Sequence, residues 1–112
     1  MAKINRELVW IKYGKRCAYC GEVIKYKEMQ IDHIHPKNKN GNDDFNNLNP
    51  SCRKCNFYKG VFSVDEFRNN IDSLHERLTK IFIVKLALSF GILRLKKPSK
   101  LFYFEKQQIL NP

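Results

Sequence analysis

Two matched cysteine pairs decide how this sequence folds: Cys17-Ala18-Tyr19-Cys20 and Cys52-Arg53-Lys54-Cys55. Turns of this kind can each present two thiolates to one tetrahedral Zn²⁺, at about 2.3 Å from the metal. Both pairs are flanked by basic residues that favour the thiolate form, namely Lys15, Arg16, Arg53 and Lys54. The sequence therefore predicts a structural zinc site made by the four cysteines Cys17, Cys20, Cys52 and Cys55.

Three other roles are open to these cysteines. Two disulfides would need an oxidising compartment, and the segment Met1 to Glu7 lacks the apolar stretch of a secretory signal. A redox-active pair would be expected beside a βαβ pattern, which the sequence does not show. A set of inert buried cysteines would leave the matched spacing unexplained. We therefore favour zinc and expect a cytoplasmic setting, where thiols stay reduced.

A zinc site with four cysteine ligands is closed, because it leaves no coordination position for water or substrate. Zinc in such a site would act as a structural staple, a cross-link between the two cysteine pairs, and would not take part in catalysis. The staple would bring together polar residues between and just after the two pairs, above all Asp32-His33-Ile34-His35-Pro36, Asn47 and Asn56.

These polar residues have the chemistry of a phosphodiester hydrolase. A histidine such as His33 can take a proton from water near neutral pH. Oxygen ligands such as those of Asp32 and Asn56 suit Mg²⁺ or another divalent ion, which would stabilise charge on the phosphate. Asp32 and His33 are neighbours, so on a regular strand they would point to opposite faces. One shared site therefore requires the strand to end or twist there.

The charge balance predicts a polyanionic partner. The chain has 21 Lys and Arg against 11 Asp and Glu, a net charge of +10. A merely soluble basic surface is the alternative. Candidate phosphate contacts are Lys59 and a basic group near the C-terminus, which comprises Arg94, Lys96, Lys97 and Lys100.

Apolar periodicity, capping residues and glycine stops predict four helices, at residues 5–13, 52–60, 63–80 and 82–90. Strands are predicted at residues 28–36 and, as a short closing strand, at 101–104. The apolar run from Ile81 to Leu95 is too short to span a bilayer and is expected to be core. The aromatic run Phe102-Tyr103-Phe104 is also expected to be core.

The ordered set of motifs over roughly residues 10 to 60 resembles the HNH endonuclease family. After the first cysteine pair come Ile31-Asp32-His33-Ile34-His35-Pro36 and Asn47-Leu48, and the second pair runs into Cys55-Asn56 and then Lys59-Gly60. The resemblance implies an α+β fold with a ββα-metal core: a two-stranded hairpin, a long loop and a helix.

The resemblance also implies roles for four residues. Asp32 and Asn56 would hold the catalytic divalent ion, His33 would activate water, and Asn47 would orient the His33 imidazole. His35 stands at a variable position and is expected to be a surface histidine. Residues 1–62 would form the nuclease core, and residues 63–112 a helical extension packed on it in one compact domain.

The expected function is metal-dependent hydrolysis of DNA with low sequence specificity, since phosphate contacts carry no sequence information. The cofactors would be structural Zn²⁺ and catalytic Mg²⁺ or another divalent ion. RNA is an open alternative substrate, a homodimer or a protein partner for targeting is an open possibility, and no membrane association is expected. Two other functions are a zinc-stapled nucleic-acid-binding module without catalysis, and a structural or protein-interaction zinc domain.

Overall fold

The computed structural model describes residues 3–111 and has the predicted mixed α and β character. Its two strands form one antiparallel hairpin: β1 is Gln30–His33 and β2 is Leu48–Ser51. The α-helices within the described residues are α1 (Arg6–Ile11), α2 (Arg53–Lys59), α3 (Val64–Thr79), α4 (Phe82–Ser89) and α5 (Tyr103–Leu110). Single 3₁₀ turns cover Tyr26–Glu28, Lys37–Lys39 and Phe45–Asn47.

The hairpin and α2 form the ββα arrangement that the family resemblance implies. The register pairs Gln30 with Ser51 at one end of the hairpin and His33 with Leu48 at the other. Residue pattern alone does not predict β2, because Pro50 within it removes a ladder donor. Both strands of a two-stranded sheet are edges, where proline is tolerated. All four residues of β2 are nevertheless buried.

Helix α1 is fastened to the hairpin region by side chains that donate to backbone carbonyls. Asn5 caps its first turn by accepting from the Leu8 N–H at 3.2 Å. Trp10 Nε1 donates to the Ile24 carbonyl at 2.8 Å, and Lys12 Nζ donates to the Leu48 carbonyl at 2.7 Å. Val9 is buried on the inner face of the helix. The helix therefore covers the start of β2.

Helix α2 begins at a cysteine of the second pair. Cys52 is its N-cap, and its Sγ accepts from the Cys55 N–H at 3.4 Å. Gly60 ends the helix with a φ of 53°, in the region that favours glycine. The helix predicted at 52–60 is therefore confirmed, and its first turn carries both cysteines of the pair.

The closing strand predicted at 101–104 is wrong, because this segment begins helix α5. The Phe102 N–H donates to the Glu105 carboxylate at 2.8 Å, which fixes the first turn of the helix. Strand-like composition is overridden here by burial: the rings of Phe102 and Phe104 meet Tyr19 edge-on at 5.2 and 5.7 Å. The expectation that these aromatics are core is confirmed for Phe102 and Phe104.

The chain divides into two compact units, residues 1–64 with 101–112, and residues 65–100. The boundary between the two units after Val64 lies close to the boundary that the sequence predicts between residues 62 and 63. The last segment, however, belongs to the first unit, whereas the sequence prediction assigned it to the extension. A backbone hydrogen bond attaches this last segment to the first unit, since the Phe104 N–H donates to the Ala18 carbonyl at 2.7 Å.

The second unit contains most of α3 and all of α4, close to their predicted bounds. Much of the apolar run Ile81–Leu95 is exposed, contrary to the core expectation: Phe82 and Phe90 are each 75% exposed. Within residues 3–111, no helix combines the length and apolar character that crossing a bilayer requires.

Phe104 should therefore stabilise the first unit. We expect Phe104→Ala to lower the free energy of unfolding by about 3–5 kcal/mol, because it removes a buried aromatic ring. Ile109→Ala, on the same helix but at a side chain 65% exposed, should change it by less than about 0.5 kcal/mol. Urea denaturation of both variants measures the difference, and equal effects would show that α5 does not pack on the unit.

Candidate active site and metal centre

The four cysteines converge on one point. Their sulfur atoms all lie within 4.8 Å of one another, and Cys20 Sγ and Cys52 Sγ are 3.8 Å apart. Sulfurs around a tetrahedral zinc with bonds of about 2.3 Å would be separated by about 3.8 Å. The cluster therefore fits a structural zinc ion, as the sequence predicts.

The first pair of the cluster is folded as a tight knuckle. The Cys17 N–H donates to the Glu22 carbonyl at 2.8 Å, and Gly21 N–H donates to the Cys17 carbonyl at 3.0 Å. Gly21 has a φ of 80°, which a side chain would strain. The Ala18 N–H donates to the Pro50 carbonyl at 2.8 Å, so the knuckle is joined to β2 just before the second pair.

Hydrogen bonds within the cluster perturb the ionisation of Cys17, Cys20 and Cys55. Hydrogen bonding by Cys20 and Cys55 holds the pKa of Cys17 far below its ordinary value. The same interaction with Cys17 raises the pKa of Cys20 to about 12 and raises the pKa of Cys55 well above its ordinary range. Cysteine binds zinc as the thiolate, so metal binding at this cluster would release thiol protons.

A cleft of about 410 Å³ lies beside α2 and the end of β1. It is lined by the predicted residues Asp32, His33 and Asn56, together with residues that include Lys37 and Gly60. His33 is the last residue of β1. Because the strand ends at this residue, the adjacent side chains of Asp32 and His33 can reach the same site. Both of them line the cleft.

Asp32 is held in a buried polar network. Its carboxylate accepts from the Tyr19 hydroxyl through Oδ2, and Oδ1 lies 3.0 Å from Lys59 Nζ. Asn49 Nδ2 donates to the Tyr19 oxygen at 3.4 Å. Burial raises the pKa of Asp32, while the Tyr19 bond and the Lys59 charge oppose that rise. Burial and the Asp32 charge also raise the pKa of Tyr19, so this hydroxyl remains a donor.

Lys59 does not occupy the place expected of a phosphate contact. Its side chain is fully buried, and besides Asp32 it donates to the His33 carbonyl at 3.0 Å. An ammonium with no exposed surface cannot meet a phosphate of the nucleic-acid backbone. The prediction of Lys59 as a nucleic-acid contact is corrected accordingly: Lys59 fixes the end of β1 from inside the protein.

Asn47 also differs from its expected role, because its side chain does not contact the His33 imidazole. Its Oδ1 accepts from the His35 N–H at 2.8 Å, and its Nδ2 donates to the carbonyls of His35 at 3.1 Å and Asn42 at 2.7 Å. Asn47 therefore fastens the loop between the strands. The group that contacts the imidazole is Asp43, whose Oδ1 lies 2.8 Å from His33 Nε2.

The remaining predicted residues lie in different places. Asn56 is partly exposed in the cleft, and no side chain within residues 3–111 hydrogen-bonds its amide. His35 is exposed, as expected of a surface histidine. The basic group Arg94, Lys96, Lys97 and Lys100 is exposed in the second unit.

Sequence reasoning missed two residues of the site. Tyr19 is inside the first cysteine pair, and that position could have suggested proximity to Asp32 once the zinc staple was assumed. Asp43 lies in a loop rich in Asn and Asp, where nothing in the residue pattern distinguishes it from Asp44.

Zinc should be a structural component of the purified protein. We expect about one zinc per chain by elemental analysis, and Cys20→Ser should lose both zinc and thermal stability, because a three-cysteine site leaves the staple incomplete. Refolding in a chelator should reproduce that loss, and added Zn²⁺ should reverse it for wild type only. A metal-free wild type of unchanged melting temperature would refute the assignment.

The buried ion pair predicts a large difference between two lysines. Lys59→Met leaves the Asp32 carboxylate buried beside an apolar side chain and should lower the free energy of unfolding by about 3–5 kcal/mol. The matched control is Lys54→Met, since Lys54 pairs with Glu22 at 3.1 Å on the surface, where solvent screens the ion pair and its loss should change stability much less. Chemical denaturation of zinc-loaded proteins measures both effects.

Comparison with known proteins gives one finding. Residues 17–61 match the family described as HNH endonuclease. No curated protein and no solved structure matches the chain significantly. The matched segment begins at the first cysteine of the cluster, contains the hairpin and α2, and ends at Val61, which lines the cleft. It therefore includes the four cysteines and the three predicted residues that line the cleft, Asp32, His33 and Asn56. Residues 17–61 of this chain are therefore similar to the HNH endonuclease family, and this similarity indicates a nuclease at the level of the family.

Proposed function

We propose that this protein is a divalent-metal-dependent endonuclease that hydrolyses DNA phosphodiester bonds. The observation that carries the proposal is the cleft shared by Asp32, His33 and Asn56, the last of which follows Cys55 of the cysteine cluster in the chain. An acid–base group and two oxygen donors in one cleft are the components that phosphodiester hydrolysis needs. The placement of Asp32, His33 and Asn56 in one cleft is therefore the basis of the proposal.

His33 is the general base in this proposal. Its imidazole accepts a proton from the attacking water, whose oxygen bonds to phosphorus. The bond from phosphorus to the leaving sugar oxygen then breaks, and that oxygen keeps the electron pair and takes a proton from solvent. The Lys59 bond to the His33 carbonyl holds the end of β1, and so holds the base in the cleft.

Asp32 and Asn56 would hold the catalytic divalent ion. Their oxygens suit a hard cation such as Mg²⁺, and the Asn56 amide lines the cleft without a side-chain partner among the described residues. When bound, the ion would stabilise negative charge on the phosphate and the leaving oxygen. Because Lys59 already offsets the charge of Asp32, we expect metal affinity to be modest.

The substrate is proposed from charge and composition. A net charge of +10 favours a polyanion, and the exposed basic group of the second unit offers phosphate contacts. Such contacts would give affinity without sequence specificity. One active site per chain predicts nicking by a monomer, and a double-strand break would need a second copy. The thiol cluster suits a reducing compartment, and we propose the cytoplasm.

A nucleic-acid-binding module without catalysis is the alternative. The observation in its favour is that the Asp32 carboxylate already has two buried partners, Tyr19 and Lys59. This alternative predicts salt-sensitive DNA binding, no cleavage with any divalent ion, and no effect of changing His33.

The test is conversion of supercoiled plasmid to open circles by zinc-loaded protein, with Mg²⁺, with Mn²⁺ and without added metal. We expect metal-dependent nicking that His33→Ala reduces by at least about 10²-fold, since general-base catalysis contributes that much. His35→Ala, in the same segment but exposed to solvent, is the matched control and should retain activity. A parallel RNA substrate separates the two nucleic acids, and unchanged cleavage by His33→Ala would refute the proposal.

A further inference from the structure

The loop between the two strands places a carboxylate against the proposed general base. Asp43 Oδ1 lies 2.8 Å from His33 Nε2, and each side chain is 23% exposed, so the contact is partly shielded from water. No other side chain within residues 3–111 hydrogen-bonds the His33 ring. Asp43 is thus the polar partner that the described structure gives this imidazole.

We propose that Asp43 is a positioning residue that fixes the orientation and the tautomer of His33. This inference rests on the proposed function, in which His33 activates water. A carboxylate at Nε2 accepts the Nε2–H, so the neutral imidazole keeps its basic lone pair on Nδ1. Asp43 would therefore assign proton abstraction to Nδ1.

The loop holds Asp43 in place through its backbone. Asn47 Nδ2 donates to the Asn42 carbonyl at 2.7 Å, immediately before Asp43. Gly41 N–H donates to the Pro36 carbonyl at 2.9 Å, and a Cβ at Gly41 would lie 1.6 Å from the His35 carbonyl oxygen. Only glycine fits this close approach. Asn47 therefore orients the imidazole indirectly, by fixing the loop that carries Asp43.

Lys37 completes the arrangement from the rim of the cleft. Its Nζ lies 3.2 Å from Asp43 Oδ1 and 3.3 Å from Oδ2, and its side chain is largely exposed. The ammonium helps to hold Asp43 as a carboxylate. Because this lysine side chain is 62% exposed and solvent screens its charge, it is expected to contribute less than the Asp43–His33 contact itself.

The experiment compares Asp43→Asn with Asp44→Asn in the zinc-loaded, full-length protein. Both variants remove one negative charge from the same loop, but the exposed Asp44 side chain has no hydrogen-bond partner among residues 3–111. We expect Asp43→Asn to lower kcat for plasmid nicking by about 10–100-fold with KM within about twofold of wild type. Asp44→Asn should leave kcat unchanged, and Asp43→Glu should restore part of the loss.

A second readout does not depend on activity. The ¹⁵N shifts of the His33 ring, measured in histidine-labelled protein, should report the Nε2–H tautomer in wild type and in Asp44→Asn. They should report a mixture of tautomers in Asp43→Asn. Wild-type tautomer populations in Asp43→Asn would overturn the inference.

The outcomes separate this inference from the proposed function. If wild type cuts, His33→Ala does not and Asp43→Asn cuts at the wild-type rate, the proposed function stands and the role of Asp43 is refuted. If wild type does not cut, the proposed function fails, and the ring shifts still decide whether Asp43 sets the His33 tautomer. An equal loss of activity in Asp44→Asn would show that loop charge alone is responsible.

Discussion

Four sulfur atoms within 4.8 Å of one another are the constraint from which the rest of the first unit follows. Four thiolates so close together repel strongly, and a divalent cation such as zinc relieves that repulsion. The convergence brings the knuckle at Cys17 and Cys20 to the N-terminus of α2. The Ala18 bond to Pro50 and the Phe104 bond to Ala18 then attach β2 and α5 to the same knuckle. A small chain with few buried apolar residues thereby gains a fixed centre.

The buried contact between Lys59 and Asp32 joins this centre to the cleft. Lys59 comes from α2, which begins in the cysteine cluster, and Tyr19 comes from within the first cysteine pair. Both hold Asp32, so the carboxylate expected to bind the catalytic ion is fixed by residues whose positions depend on the cluster. A buried ion pair of this kind seldom adds net stability over apolar residues of similar volume. Its value here is that it sets the position of a side chain in the site.

The two units differ in how far their apolar side chains are exposed to solvent. In the first unit, the core is formed by residues such as Val9, Met29 and Leu48, all of which are buried. In the second, α4 leaves Phe82 and Phe90 largely in solvent, although the sequence pattern there is that of a core helix. Hydrophobic periodicity predicts that a helix forms, but it does not say whether another element covers its apolar face. The exposure of α4 therefore could not be predicted from residues 82–90 alone.

By itself, the sequence determined the cysteine cluster, the helices α1 to α4, a strand through Asp32 and His33, and the candidate residues Asp32, His33 and Asn56. These follow from spacing, caps and residue chemistry, which act over a few residues. Only the tertiary structure decided that residues 103–110 form a helix, that Lys59 is buried, and that Asp43 rather than Asn47 meets the His33 ring. The physical reason is that burial and hydrogen-bond partners depend on residues distant in the chain, such as the aromatic ring of Tyr19 for Phe104 and the carboxylate of Asp32 for Lys59.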